Sequence, residues 1–225
     1  MTSKEIAKMI DVSAVRADST LSEVCEAADI AIQFGCIAVF ALPAHTPYLI
    51  DLLTESTVLA GGVVGFPGGA ETTSIKKKTA SELTLMGCRE IDMVNNIAWL
   101  KAGRRDLYEE DVRAVVEATN GLPVRVILEC HYLTPGEISR ACEWCANAGA
   151  SWVKTGTGWA PTGATTENVT LMKQTVGTRC GVKAAGGVRD LETLLAMYSC
   201  GVRRFGIGGR TARSILKVAE KGVLV

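Results

Sequence analysis

Short runs of apolar, β-branched residues alternate along the chain with longer stretches in which apolar side chains return every three or four positions. The short runs predict strands over residues 10–13, 37–42, 59–66, 90–95, 124–129, 152–158, 181–187 and 203–209. The longer stretches predict helices over 21–34, 72–86, 106–118, 135–148, 166–176, 191–199 and 211–221. Gly35, Gly87, Gly121, Gly149, Gly177 and Gly201 each follow a helical stretch, where a left-handed residue ends a helix without a Cβ penalty. Thr134-Pro135 joins a capping hydroxyl to a proline at the first helical position. From the second strand onward, strand starts recur at intervals of about 22 to 34 residues, the length of one strand, loop, helix and loop. Several strands, such as Val124 to Leu128, read as apolar almost throughout, which points to a parallel sheet covered by helices. Eight such units predict an α/β fold, a single (β/α)8 TIM barrel occupying 1–225 as one domain. An open doubly wound sheet is the alternative, but no G-x-G-x-x-G follows the first strand.

Composition narrows the function. With 24 basic against 24 acidic residues, the chain lacks the cationic excess of a nucleic-acid surface. The longest basic run, Lys76-Lys77-Lys78, reads as a solvated helix face. No apolar run is long enough to span a membrane, and Met1 to Ile10 lacks the apolar centre of a signal peptide. The eight cysteines sit within apolar segments; Cys25, Cys88, Cys142 and Cys200 read as small core residues. Cys142-x-x-Cys145 has no second Cys pair or histidine at metal spacing, and His45 and His131 form no ligand cluster, so neither metal nor cofactor is expected. A reduced, cytoplasmic setting is the expectation.

In a (β/α)8 barrel the chemistry sits at the C-terminal ends of the strands. Asp92 interrupts the fourth strand, Lys154 the sixth and Lys183 the seventh. A lysine in a strand core is costly unless paired or neutral. A lone one can send its head to the rim, but two at matching places on successive strands, with a carboxylate nearby, are less easily explained that way. Neighbouring parallel strands lie about 4.8 Å apart, so the two ammonium groups approach, and repulsion and burial both favour loss of a proton. A neutral lysine is a nucleophile toward carbonyls and suggests a Schiff base. Gly186-Gly187 and Gly208-Gly209 end strands seven and eight, where this fold commonly binds phosphate on backbone N–H groups and a helix N-terminus. Gly-Gly also occurs where a strand merely turns.

Ile91-Asp92-Met93-Val94 with Asn96 beyond, Val153-Lys154-Thr155-Gly156-Thr157-Gly158, Gly181-Val182-Lys183-Ala184-Ala185-Gly186-Gly187-Val188-Arg189 and Val63-Val64-Gly65-Phe66-Pro67-Gly68-Gly69-Ala70 together resemble the 2-deoxyribose-5-phosphate aldolase family, in register from about Ile10 to the last helix. The resemblance implies a metal-independent class I aldolase, a lyase that reversibly cleaves 2-deoxy-D-ribose 5-phosphate to acetaldehyde and D-glyceraldehyde 3-phosphate. It implies Lys154 as the Schiff-base lysine, Lys183 as the second lysine and Asp92 as the relay carboxylate. Asp11 and Ser13 fit the acidic residue and hydroxyl at the end of strand one, with substrate hydroxyl contacts as the expected role; for Ser13 a structural cap is as good a reading. Thr157, Gly158, Gly186, Gly187, Gly208, Gly209 and Arg210 complete the expected substrate site.

Three departures bear on the acceptor. Gly206-Ile207-Gly208-Gly209-Arg210 replaces the family's small hydroxyl residues at the end of strand eight, with Arg210 as a substitute phosphate contact. The family's Lys-Thr-Ser-Thr-Gly is Lys154-Thr155-Gly156-Thr157-Gly158 here, followed by Trp159. Leu42 precedes Pro43 where members often carry an aldehyde-sensitive cysteine. The alternative is therefore the same aldol chemistry on a non-phosphorylated or differently charged aldehyde. A sugar-phosphate-binding barrel without turnover has no need of two lysines and Asp92, and an isomerase's Glu and His pair is not evident. The expected partner is a small-molecule aldehyde or sugar phosphate, with no nucleic acid and no membrane; a homodimer is carried as an expectation that the sequence does not fix.

Overall fold

Eight parallel strands pair in sequence order and close, β8 returning to β1. They are β1 (Ile10–Ala14), β2 (Ala38–Ala41), β3 (Leu59–Val64), β4 (Glu90–Val94), β5 (Val124–Ile127), β6 (Trp152–Lys154), β7 (Gly181–Ala185) and β8 (Arg204–Gly208). Around them lie α1 (Ser3–Ala7), α2 (Leu21–Phe34), α3 (Thr46–Leu53), α4 (Thr73–Met86), α5 (Ile97–Lys101), α6 (Arg105–Ala118), α7 (Pro135–Asn147), α8 (Thr166–Val176), α9 (Leu191–Ser199) and α10 (Gly209–Glu220). The molecule is a (β/α)8 TIM barrel. The computed structural model describes residues 1–222; the last three positions of the expected 1–225 domain lie outside the described residues.

The helix boundaries follow their caps. Thr20 and Thr134 form capping boxes with Glu23 and Glu137, and Gly35 ends α2 at a φ of 70°. α1, α3 and α5 lie outside the predicted set. α3 opens immediately after a 3-10 turn at Pro43–His45 and carries Pro47 in its own first turn, so its start reads as a loop.

Most predicted strands overrun the observed ones at their C-terminal ends, with a local reason at β6. Beyond Lys154, the Thr155 hydroxyl donates to the Ala185 carbonyl (2.8 Å) and accepts from the Ala185 N–H (2.9 Å), so a side chain takes over ladder bonds to β7. The backbone is then free to leave the sheet.

The apolar core lies chiefly between the strands and the helices. Two expectations are corrected there. Lys76, predicted to face solvent, is fully buried: its Nζ donates to Asp111 of α6 at 2.6 Å and to the Val94 carbonyl at 3.0 Å, while Lys77 and Lys78 do face solvent. Cys88 and Cys142 are core residues as predicted, but Cys25 and Cys200 are only half-buried.

Inside the barrel the two sides differ. Ala38, Phe40 and Val63 make a small apolar cluster on the β2–β3 side. Gly61 leaves room for the Phe40 ring, which a Cβ at that position would meet at 2.4 Å. The charged residues of the interior lie on the remaining strands, β1 and β4 to β8.

Candidate active site

Strand alternation and register direct the charges inward. Lys154 pairs with Lys183, Lys183 with Arg204, and Asp92 with Arg125, and paired residues on parallel strands project to the same face. The interior thus gathers Asp11 from β1, Glu90 and Asp92 from β4, Arg125 from β5, Lys154 from β6, Lys183 from β7 and Arg204 from β8, all buried. Buried charges are tolerated only when paired, and these are. Lys154 Nζ and Lys183 Nζ both donate to the same oxygen, Asp92 Oδ2, at 2.7 and 2.8 Å. Lys183 also reaches Asp11 Oδ2 at 2.8 Å. Arg204 bridges Asp11 and Glu90, and Arg125 pairs with Glu90 and stands 3.7 Å from Asp92 Oδ1. Gly206 keeps the space over the lysines open: a Cβ there would lie 3.5 Å from Lys183 Cε and 3.9 Å from Lys154 Cε.

The electrostatics follow from this packing. Burial, together with the charges of Lys154 and Arg125, pulls Lys183 down to about 8 against the opposing pull of Asp11 and Asp92. Burial works against ionisation of Asp92, but Lys154, Lys183 and Arg125 outweigh it and hold the carboxyl well below the usual range. For Asp11, burial is likewise outweighed by Lys183, Arg204 and Arg125.

A cavity of about 550 Å³ opens above this layer at the C-terminal end of the barrel, and Asp11, Asp92, Lys154 and Lys183 form its floor. Ser13, Thr157, Gly158, Gly186, Gly187, Gly208, Gly209 and Arg210 line it as well, so the structure brings every predicted site residue to one place. The Asp11 carboxylate is fully buried and held by Lys183 and Arg204. The Ser13 hydroxyl has no hydrogen-bond partner among the described residues. The Thr157 hydroxyl donates to Glu129 and accepts from Trp159 N–H at 3.0 Å, which anchors the loop after β6. Gly156 lets that loop close over Glu129, whose carboxylate a Cβ would approach to 2.6 Å.

One side of the mouth is built from backbone. Gly163 packs so closely on Gly186 that a Cβ would overlap its carbonyl, and Gly186 and Gly187 hold φ values of 74° and 93°. Gly208 caps α10 without a side-chain hydrogen bond, which leaves the first N–H groups of a twelve-residue helix facing the cavity mouth. Arg210 stands exposed beside them. On the other side, Trp159 donates from Nε1 to the Val15 carbonyl at 2.8 Å and meets the Phe66 ring edge-on, centroids 5.9 Å apart.

Glu90, Arg125, Arg204 and Glu129 belong to the site or its support and are absent from the predicted set. Arg125 corrects the reading of Val124 to Leu128 as almost wholly apolar: one inward position of that strand carries a buried guanidinium.

No family model matches the chain. It is 44% identical over 223 residues to the deoxyribose-phosphate aldolase of Klebsiella pneumoniae, covering 98% of this chain and 90% of that one. Among solved structures it resembles QR15, an aldolase, at a TM-score of 0.90 and 35% identity over 96% of both chains. It also shares its fold with the tetrameric deoxyribose phosphate aldolase of Aeropyrum pernix, at a TM-score of 0.90 and 24% identity over 99% of this chain and 94% of that one. Identity of this degree over nearly the full length of both chains, on a barrel whose charged interior opens into one cavity, shows that the chain belongs to the deoxyribose-phosphate aldolase family.

Proposed function

We propose that this lyase cleaves 2-deoxy-D-ribose 5-phosphate reversibly through an imine on Lys154. The observation that carries the reading is the single carboxylate oxygen shared by two buried lysines at the cavity floor, of which Lys154 is the more exposed. Lys183, pulled down to about 8, sheds its proton as the pH rises through that value. Asp92, held far below, keeps no proton itself and links the lysines by accepting from both. The shared Asp92 oxygen joins the two ammonium groups, so a proton can pass from one lysine to the other through it.

The neutral Lys154 amine attacks the aldehyde carbon of the open-chain sugar, and loss of water gives the protonated imine. The C3 hydroxyl proton leaves through the Lys183–Asp92 relay, assisted by a water that Asp92 positions. The C2–C3 bond then breaks, with its electrons entering the imine to give an enamine, and glyceraldehyde 3-phosphate departs. Protonation at C2 and hydrolysis release acetaldehyde and restore Lys154. A group near 8 suits taking and returning a proton at physiological pH.

Gly186, Gly187, the α10 N-terminus at Gly208-Gly209 and Arg210 hold the phosphate, supported by the uncapped helix end and its backbone donors. Asp11 orients Lys183, and Ser13, with its free hydroxyl, receives a substrate hydroxyl. Turnover of 2-deoxyribose 5-phosphate, measured beside Lys154→Leu, tests the reading. Release of acetaldehyde and glyceraldehyde 3-phosphate by the native enzyme and none by the variant are expected; equal turnover by both would sink it.

A further inference from the structure

Counting the Lys154–Lys183 pair, the barrel interior holds more basic than acidic groups. Arg125, Lys154, Lys183 and Arg204 are four; Asp11, Glu90 and Asp92 are three, and all are buried. β2 and β3 bring no charge: Phe40, Gly61 and Val63 face inward there. Glu129, beyond β5, turns its carboxylate to the N–H and hydroxyl of Thr157 rather than to the lysines. Arg16, Glu23, Glu26, Arg189 and Arg210 line the solvent-facing mouth, where water and salt screen them.

Arg125 is the member of this set without an obvious task. It is fully buried, and its only ionic partners among the described residues are Glu90 and, at 3.7 Å, Asp92 Oδ1. Its Nε, Nη1 and Nη2 make no well-formed hydrogen bond. A guanidinium keeps its proton at any working pH, so the excess positive charge can be relieved only at the lysines.

Resting on the imine reading above, we infer that Arg125 is a positioning residue for the nucleophile: it steadies Asp92 from the side opposite the lysines and supplies the fixed positive charge that makes the lysine pair give up a proton. The geometry sets the size of the effect. The Arg125 guanidinium carbon lies 5.7 Å from the Phe40 ring centroid and Lys183 Nζ lies 4.3 Å from it, so the two are at most about 10 Å apart. At that separation and an effective dielectric of about 20, removing the charge moves the titration of the pair by about one pH unit.

The sign is distinctive. Arg125→Gln evens the interior charge, so the lysine pair holds its proton to higher pH; the acid limb of kcat/KM for 2-deoxyribose 5-phosphate cleavage should move up by about one unit. Glu90→Gln raises the positive excess and should move the limb down by a similar amount. The double variant Glu90→Gln/Arg125→Gln restores the native excess and should return the limb to within a few tenths of a unit, and Arg125→Lys should keep it near the native position. Far-UV circular dichroism checks folding, and a borohydride-trapped acetaldehyde adduct on Lys154 of the native enzyme checks the reading beneath. A structural role alone would lower amplitude in all variants at an unchanged midpoint, and that result overturns the proposal. If Arg125→Gln does not fold, the Glu90→Gln limb decides by its direction: a downward shift supports the proposal, and no shift or an upward one overturns it. A native enzyme without an adduct on Lys154 overturns the imine reading, and the proposal with it; an adduct with unmoved limbs overturns the proposal alone.

Discussion

Asp92→Asn separates the two tasks assigned to that residue. Lys154 Nζ and Lys183 Nζ lie 2.7 and 2.8 Å from one Asp92 oxygen, so the two distances together cap their separation at about 5.5 Å. Two ammonium charges that close repel by about 3 kcal/mol at an effective dielectric of 20, equivalent to about two pKa units. In the native protein the carboxylate offsets this repulsion; an amide of the same shape does not. The variant therefore holds a neutral amine at lower pH than the native enzyme. Imine formation with acetaldehyde should survive, its acid limb moved down by up to about two units. Proton transfer to and from the substrate loses its relay, and turnover should fall by about 10²- to 10⁴-fold. Borohydride trapping as a function of pH reports the first effect, and release of glyceraldehyde 3-phosphate the second. Loss of trapping in parallel with turnover, in a protein that is still folded, would overturn this division of tasks at Asp92, as would unimpaired turnover.

Lys183→Leu removes a charge beside Lys154 and the group that titrates at about 8. The acid limb of trapping should move up rather than down, with turnover reduced at least a hundredfold; a native pH profile would remove Lys183 from the mechanism. Arg210→Ala should raise KM for the phosphorylated sugar by about five- to tenfold and leave that for unphosphorylated deoxyribose unchanged. An equal effect on both sugars would take the phosphate away from Arg210. Lys76→Met strands Asp111 in the core without its cation and should cost about 3–5 kcal/mol in urea melts. Lys76→Met/Asp111→Leu should recover most of that loss, and a double variant no more stable than the single would show that the pair is not the source.

What the sequence shows and hides follows from how a charge stands against its neighbours. Lys154 and Lys183 interrupt apolar strands two or more residues from either predicted end, so their cost demands a reason. Arg125 carries the same signal, but four of the five residues from Val124 to Leu128 are apolar, and the run hides it. Glu90 and Arg204 begin their strands, where a charge reads as the end of a loop. Lys76 is one of three consecutive lysines, and its partner lies 35 residues away on another helix, so nothing local separates it from its solvated neighbours. The eightfold repetition of strand and helix is local in origin, and the barrel was legible for that reason. Strand ends were less so: the exit after Lys154 depends on a threonine hydroxyl replacing ladder bonds, and Ala185 is too distant in sequence to signal it.

The imine mechanism proposed above requires Lys154, and not its neighbour, to carry the substrate. Peptide mapping by mass spectrometry after borohydride reduction in the presence of acetaldehyde tests it most directly. An ethyl adduct is expected on Lys154 and none on Lys183, which is the more deeply buried of the two and is tied to two carboxylates. An adduct on Lys183 or on any other lysine, or none on a protein that turns over 2-deoxyribose 5-phosphate, would contradict it.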